Sequence, residues 1–375
     1  MPTPMTTDSR LARQTAERLI GSRAQLLKYK GLVGFDGFVD TIFEVVDQRQ
    51  TLTKYTAFSS MKKFATKINS AAGQSANFET VKSMEKLGGN GPIMAFALST
   101  LGAPVEYVGM LGYPEVNPVF KEFAKRAKVH SIAEPGYTSA LEFSDGKLML
   151  GQHATVNEIS WDNIKKRLGE ANFKKLWASA DFVSMVNWTM LPHMSAIWKK
   201  LQTTFKTTKK EKKKLMFFDL ADPAKRTDAD LNAALKIIAD FQDPHDVILG
   251  LNESEAQQVA KVLRLKNFAK TPKGYTGMSG AIREKLGLNT VVVHPVQYAC
   301  GADAEGETFV AGPYTAKPKI STGAGDHFNA GFVIGRLLGL GLPHALQLAV
   351  ANSGFYVRHA NSPNREQLVR FLQTL

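Results

Sequence analysis

Residues 320–335 read ISTGAGDHFNAGFVIG, with Gly323, Ala324 and Gly325 running into Asp326 and then a helix-like apolar pattern. A small-residue turn at a helix N-terminus points successive backbone N–H groups at one spot, which makes an anion hole. Glycine matters there because a side chain would keep phosphate oxygens at a distance. A carboxylate beside a phosphate is repelled unless it takes a proton from the attacking group. Phosphoryl transfer needs both parts: charge stabilisation on the transferred group and a base for the acceptor hydroxyl. Taken alone, the same four residues also suit a structural turn with Asp326 as an N-cap.

Other residues with usable chemistry follow apolar runs: Asp36 and Asp40, Asp219 and Asp222, Asn252 and Glu255, and His294. Strands that end in such residues bring them to the carboxyl edge of a sheet, where ligands collect in open α/β folds.

The elements that must position them are legible by period. Residues 8–30 read as an amphipathic helix capped by Asp8 or Ser9, with Leu11, Leu19, Leu26 and Leu27 as its large apolar residues. GLVGFDGFVDTIFEVVDQR (31–49) gives a short strand, a glycine-rich turn and a second β-rich run, and 59–73 reads as helix. GGNGPIMAFALSTLGA (88–103) is a glycine-rich turn opening a helix that stops at Gly102, followed by a strand over 105–112. Residues 137–151 alternate around Asp145-Gly146, a hairpin signal. Strand-like runs at 180–188, 214–222, 246–255 and 289–300 then alternate with helical patterns such as 228–242. Continuous apolar strands between helices predict a mostly parallel sheet covered on both faces. With no repeat and no long linker, the expectation is one large α/β domain carrying a small β element from about 40–58 and 137–152.

The 375-residue chain is long enough for a large core, and its 44% hydrophobic and 22% charged composition is globular. No apolar run approaches the ~18 residues of a membrane span, and the N-terminus lacks a signal-peptide core. One cysteine, Cys300, excludes internal disulfides and fits a reducing cytoplasm. Part of the +13 charge sits in KTTKKEKKK (206–214), read as a solvated surface run before an apolar strand. Without basic–aromatic interleaving or a recognised module it does not indicate nucleic acid. The basic balance suits anionic substrates instead. The histidines show no zinc-like clustering, and no GxxxxGK[ST] loop is present.

TGAGDHFNAGF, followed by VANSGFYVRHANSPN (350–364), resembles the second signature of the ribokinase (PfkB-type) family of carbohydrate and nucleoside kinases. GGNGPIMAFALSTLGAPVEYVGMLG (88–112) resembles the first signature, and NESEA (252–256) the NxxE motif. The three occur in the family's order, and the likeness covers about residues 31–375, leaving 1–30 as an N-terminal helical extension. The resemblance implies a ribokinase-like three-layer sandwich with a mostly parallel central sheet and a small β lid. It implies Asp326 as the base, and Gly323, Ala324 and Gly325 as the anion hole for the γ-phosphate of ATP. Asn252 and Glu255 would organise Mg²⁺ and its waters. Gly88, Gly89 and Asn90 would approach the acceptor, and Asp40, or else Asp36, would hold its hydroxyls. Thr322, His294 and Asn352 fall on the nucleotide side. The partners implied are ATP and a sugar-like acceptor, with a homodimer through the lid.

The pattern is also broken in places. Ile93 replaces a usual asparagine, GMLGYPEVNP (109–118) lacks the usual aspartate, His294-Pro295-Val296 replaces T/K-x-G, and Ile320 replaces an acidic residue. These changes touch specificity and leave the base and anion hole intact. The expected activity is ATP-dependent phosphorylation of a sugar or polyol hydroxyl. A nucleoside or sugar-phosphate acceptor, or a catalytically weak sugar-binding protein, is the alternative; the intact Asp326 turn weighs against the latter.

Overall fold

In the computed structural model, which describes residues 5–205 and 213–375, nine strands form the main sheet. Across the sheet they run β14 (Gly306–Ala311), β13 (Tyr298–Asp303), β12 (Thr290–Val293), β11 (Asp246–Leu251), β10 (Leu215–Asp219), β9 (Phe182–Met185), β1 (Gly31–Phe35), β5 (Val105–Gly109) and β6 (Lys128–Ser131). All neighbours from β6 to β12 are parallel, while β13 and β14 are antiparallel additions at the edge. The central strands are apolar end to end because helices bury both faces. One face packs Trp161, Phe173, Trp177, Trp198 and Phe218, and the other packs Met94, Leu98, Phe332 and Leu348. Strand order reverses at β1, which lies between β5 and β9, so a crevice opens at its carboxyl end. Asp36 is the next residue.

A second sheet is built from β2 (Phe38–Arg49), β3 (Tyr55–Ala57), β4 (Thr80–Gly88), β7 (Gly136–Phe143) and β8 (Gly146–Gln152). β2 pairs antiparallel with β3 and β4 and parallel with β7. Its own core is small: Val45, Phe58, Phe64, Leu141 and Phe143, with Phe64 supplied by the Met61–Ser70 helix. The chain crosses between the two sheets at one place. Asp36-Gly37 joins β1 to β2, Gly89 joins β4 to the Asn90–Leu101 helix, and the Gly136 N–H opening β7 donates to the Gly37 carbonyl at 2.9 Å.

Four expectations shift. The 8–30 helix breaks, giving Ser9–Leu19 and a short Arg23–Leu26 turn, because Gly21 takes φ 76; Asp8 is the cap and Leu27 is exposed. The 289–300 run folds back on itself through His294–Gln297 as two antiparallel strands. The hairpin turns at Ser144-Asp145, one residue early, with Phe143 opposite Gly146. The small β element also contains β4, whose polar sequence TVKSMEKLG carries no alternation. Most of the basic run 206–214 lies outside the described residues.

Candidate active site

The Ala324–Leu337 helix starts from Gly323, whose φ of 93 lies in the left-handed region that favours glycine. A Cβ there would sit 3.1 Å from the Tyr356 hydroxyl and 3.3 Å from Ile93, so the residue in the variant asparagine position packs the turn. Among the described residues, the amides of Gly323, Gly325 and Asp326 meet no acceptor, whereas the Ala324 N–H donates to the Ser321 carbonyl at 3.1 Å. The free donors are therefore 323, 325 and 326, with Asp326 taking the place of Ala324 in the 323–325 set the motif suggests. Asp326 is buried, and its Oδ1 accepts from Asn90 Nδ2 at 2.9 Å. Burial, and then the charge of Asp219, hold its carboxyl well above the usual range; Asp36 and Glu255 add to this, and the Asn90 bond opposes it.

Asn90 is delivered by the second helix that points at this spot. Asp36 caps that helix: Oδ2 accepts from Asn90 N at 2.9 Å and Oδ1 from Gly91 N at 2.8 Å. Asn187 Nδ2 also donates to Asp36 Oδ2, at 2.6 Å. Asp36 is fully buried and committed to these donors, with burial pushing its carboxyl up to about 6. It ties the sheet crossing together, which leaves Asp40 as the acidic residue of the pair on the second sheet.

Asp40 lies on β2 with Lys86 as its cross-strand partner, Thr138 bonded to its carboxylate and His153 nearby. Burial raises its carboxyl, and Lys86 is the main opposing influence. Gly88 makes room for it: a Cβ at 88 would fall 2.5 Å from Asp40 Oδ2.

Beside Asp326 lies a cavity of about 350 Å³ lined by Asp219, Asp222, Lys225, Asn252, Glu255 and Asn90, among others. Asn252 and Glu255 form a reciprocal capping box on the Glu253–Val262 helix. Glu255 Oε2 accepts from Asn252 N and Oε1 from Asp222 N, each at 2.8 Å. The latter bond holds Asp222 at φ 61, on the turn that carries Lys225 to the cavity. Burial and the nearby Asp219 push Glu255 up to about 8, and burial also raises Asp219.

An adjoining groove of about 380 Å³ is mainly apolar, with Val296, Tyr298, Pro313, Phe328, Val350 and Val357 in its walls. Asn252, His294 and Gly325 line both spaces, so the groove leads to the turn. His294 packs on Phe328 with ring centroids 4.6 Å apart; burial lowers its pKa to about 4, and its Nε2 has no partner among the described residues. Asn352 does not face the groove. It is buried against the 324–337 helix and donates to the His327 carbonyl at 2.6 Å, while Val350, Ser353, Gly354 and Val357 of its helix form the wall. On the turn side the groove is walled by Ser321, Ala324 and Gly325, and Thr322 has its carbonyl held by Tyr356.

The donor set fits a divalent cation shared with a polyphosphate. The charge of Asp219 raises the pKa of Glu255 by repulsion that a cation would relieve, and Mg²⁺ is commonly held by one or two carboxylates plus phosphates. No cluster of three or more His, Cys, Asp or Glu side chains placed to hold a metal ion occurs among the described residues. Asn187, Lys225 and Asp219 escape the motif reading. Only Asp219 carries a signal, as the last residue of an apolar strand.

Among the described residues, no helix is long and apolar enough to cross a membrane. A family model described as prokaryotic ketohexokinase matches residues 10–375, which takes in the N-terminal helix. A ketohexokinase of Haloferax volcanii is 28% identical over 357 residues, covering 95% of this chain and 92% of that one. Among solved structures, the Methanocaldococcus jannaschii nucleoside kinase, an archaeal ribokinase-family member, superposes with a TM-score of 0.60 at 15% identity, over 92% and 98% of the two chains. Arabidopsis thaliana ribokinase complexed with ribose and ATP gives 0.61 at 16%, over 92% and 99%. These two likenesses establish the fold. The chain belongs to the prokaryotic ketohexokinase family and is a carbohydrate kinase of ribokinase-like fold.

Proposed function

We propose that the protein transfers the γ-phosphoryl group of ATP to a hydroxyl of a ketohexose, with Asp326 as general base. The observation that carries this reading is the meeting of Asp326 with three unpaired amides at the end of an apolar groove. The adenine moiety lies in the groove, and the phosphates extend past His294 toward Gly323, Gly325 and Asp326. The ketose lies between Asp40 on β2 and Asn90, and the second sheet acts as a lid that excludes water.

Asp326 takes the hydroxyl proton as the acceptor oxygen bonds to the γ-phosphorus and the bond to the β-phosphate oxygen breaks. The three amides take up charge on the equatorial oxygens, and Lys225 adds the positive side chain of the cavity. A raised pKa makes Asp326 a better proton acceptor, and a divalent cation held by Glu255 and Asp219 would offset the neighbouring negative charge that raises it. Mg²⁺, held through water by Glu255, would supply charge neutralisation on the phosphates. The exposed Met84, Tyr137, Met149 and Leu150 of the second sheet support pairing of two copies there, which sedimentation velocity checks.

Release of ADP from Mg·ATP is the test, measured across ketohexoses, aldohexoses, polyols, nucleosides and fructose phosphates, with the product assigned by NMR. Turnover with ketohexoses alone supports the reading. Preference for a nucleoside or a sugar phosphate, or ketohexose binding without turnover, would overturn it.

A further inference from the structure

The stretch 350–364 places polar side chains behind the anion turn rather than in the nucleotide groove. Tyr356 donates its hydroxyl to the Thr322 carbonyl at 2.9 Å. His327 Nδ1 lies 2.8 Å from the Gly323 carbonyl, which only accepts, so Nδ1 carries the proton. Its Nε2 therefore accepts from Ser362 Oγ at 2.7 Å. The two rings stack with centroids 3.7 Å apart and planes within 14°. Asn352, four residues before Tyr356 on the same helix, fixes the His327 carbonyl. Both rings are buried.

The N–H and C=O of one peptide unit point in opposite directions. Fixing the Thr322 carbonyl from behind thus aims the Gly323 N–H forward. Fixing the Gly323 carbonyl holds the Ala324 N–H on Ser321 and keeps it out of the hole. The glycines that let phosphate oxygens approach also leave these peptide planes free to flip, because glycine populates both signs of φ. We propose that the stacked His327–Tyr356 pair is a positioning device that sets the peptide orientations of this turn before the donor arrives. Neither ring touches the transferred group; both act through the turn. The inference rests on reading the turn as the anion hole.

A transition-state mimic separates the two ideas. Affinities of Mg·ADP with and without aluminium fluoride, in the presence of acceptor, are compared for the wild type, Tyr356→Phe, His327→Leu and His327→Asn, alongside kcat, KM and melting temperature. Tyr356→Phe keeps the stack and loses one clamp. It should weaken the fluoroaluminate complex and lower kcat by about the same factor, roughly tenfold, below the ~10² of losing a donor outright. Mg·ADP affinity and acceptor KM should stay unchanged. His327→Leu should lose more, and His327→Asn, which keeps an N–H near Nδ1, should recover most of that loss. A wild type without fluoroaluminate-dependent tightening would overturn the anion-hole reading and this inference with it. Normal tightening in the wild type that Tyr356→Phe retains in full, or a loss that only follows the melting temperature, would overturn this inference alone.

Discussion

The two sheets hold different halves of the proposed site under different physical conditions. The main sheet buries its central strands on both faces between two large aromatic and aliphatic layers. The second sheet rests on a five-residue core and leaves much of β4 and β8 exposed. Asp326, Asp219, Glu255 and the free amides sit on or beside the first; Asp40, Lys86, Thr138 and His153 sit on the second. In the proposed function, the groups that would meet a phosphoryl transition state lie on the more deeply buried sheet, where small displacements would be costly in rate. The groups proposed to hold the acceptor lie on the sheet with the smaller core, the kind of region from which closing elements are drawn. Asp36 stands at the joint between them, bonded to the first residues of the helix that carries Asn90.

Perturbing one side at a time sharpens this division. Asp326→Asn should lower kcat by about 10² or more with acceptor affinity nearly intact, read by steady-state kinetics and calorimetry. Gly88→Ala drives a methyl into the Asp40 carboxylate. It should raise acceptor KM about tenfold while kcat at saturation holds, the equivalent of about one charged hydrogen bond. A Gly88→Ala variant that loses kcat instead would break the division.

The main-sheet side also has a pH signature. Asp36 is pushed up to about 6 from 3.8, and Glu255 to about 8 from 4.5, so the native state binds protons more tightly than the unfolded chain. Their stabilising contribution is complete below the unfolded values and is lost as pH rises through the folded ones. Buried His245, His294 and His327, each lowered from 6.5 to about 4, act in the opposite sense below about pH 6.5, so the melting temperature of the ligand-free protein should fall as pH climbs from about 6.5 through about 8. Added Mg·ADP should raise it most at the alkaline end. A melting temperature that rises across this window would contradict the carboxylate cluster. The smallest effect belongs to the N-terminal helix, where Thr15 Oγ1 lies 2.9 Å from His344 Nδ1. Thr15→Val should cost about 1 kcal/mol in denaturant unfolding and leave the kinetics unchanged.

How much of this the sequence discloses also divides by region. The parallel sheet, the Asp326 turn and the Asn252–Glu255 box were legible because apolar strands, small-residue turns and capping pairs are local patterns. Asn90 was legible as a residue between glycines, but its bond to Asp326 spans 236 positions and has no local trace. β4 was missed because a half-exposed polar strand carries no alternation. The family resemblance put Asn352 on the nucleotide side, and its helix does line the groove. The face it occupies depends on helix phase, and only Val350, Ser353, Gly354 and Val357 have the right one. Asp36 and Asp40 are alike in type and setting in the sequence; the donors that surround Asp36 distinguish them. His327 and Tyr356 act on backbone carbonyls, which no side-chain motif records.

The most direct test of the division is rapid-quench phosphoryl transfer from labelled ATP, with acceptor Kd measured separately, for Asp326→Asn and Gly88→Ala side by side. The account predicts a chemical step slowed about 10²-fold or more at unchanged acceptor Kd in the first variant. It predicts weaker acceptor binding at an unchanged chemical step in the second. A wild-type chemical step in Asp326→Asn would contradict the assignment of the base, and with it the reading of the main sheet as the seat of the chemistry.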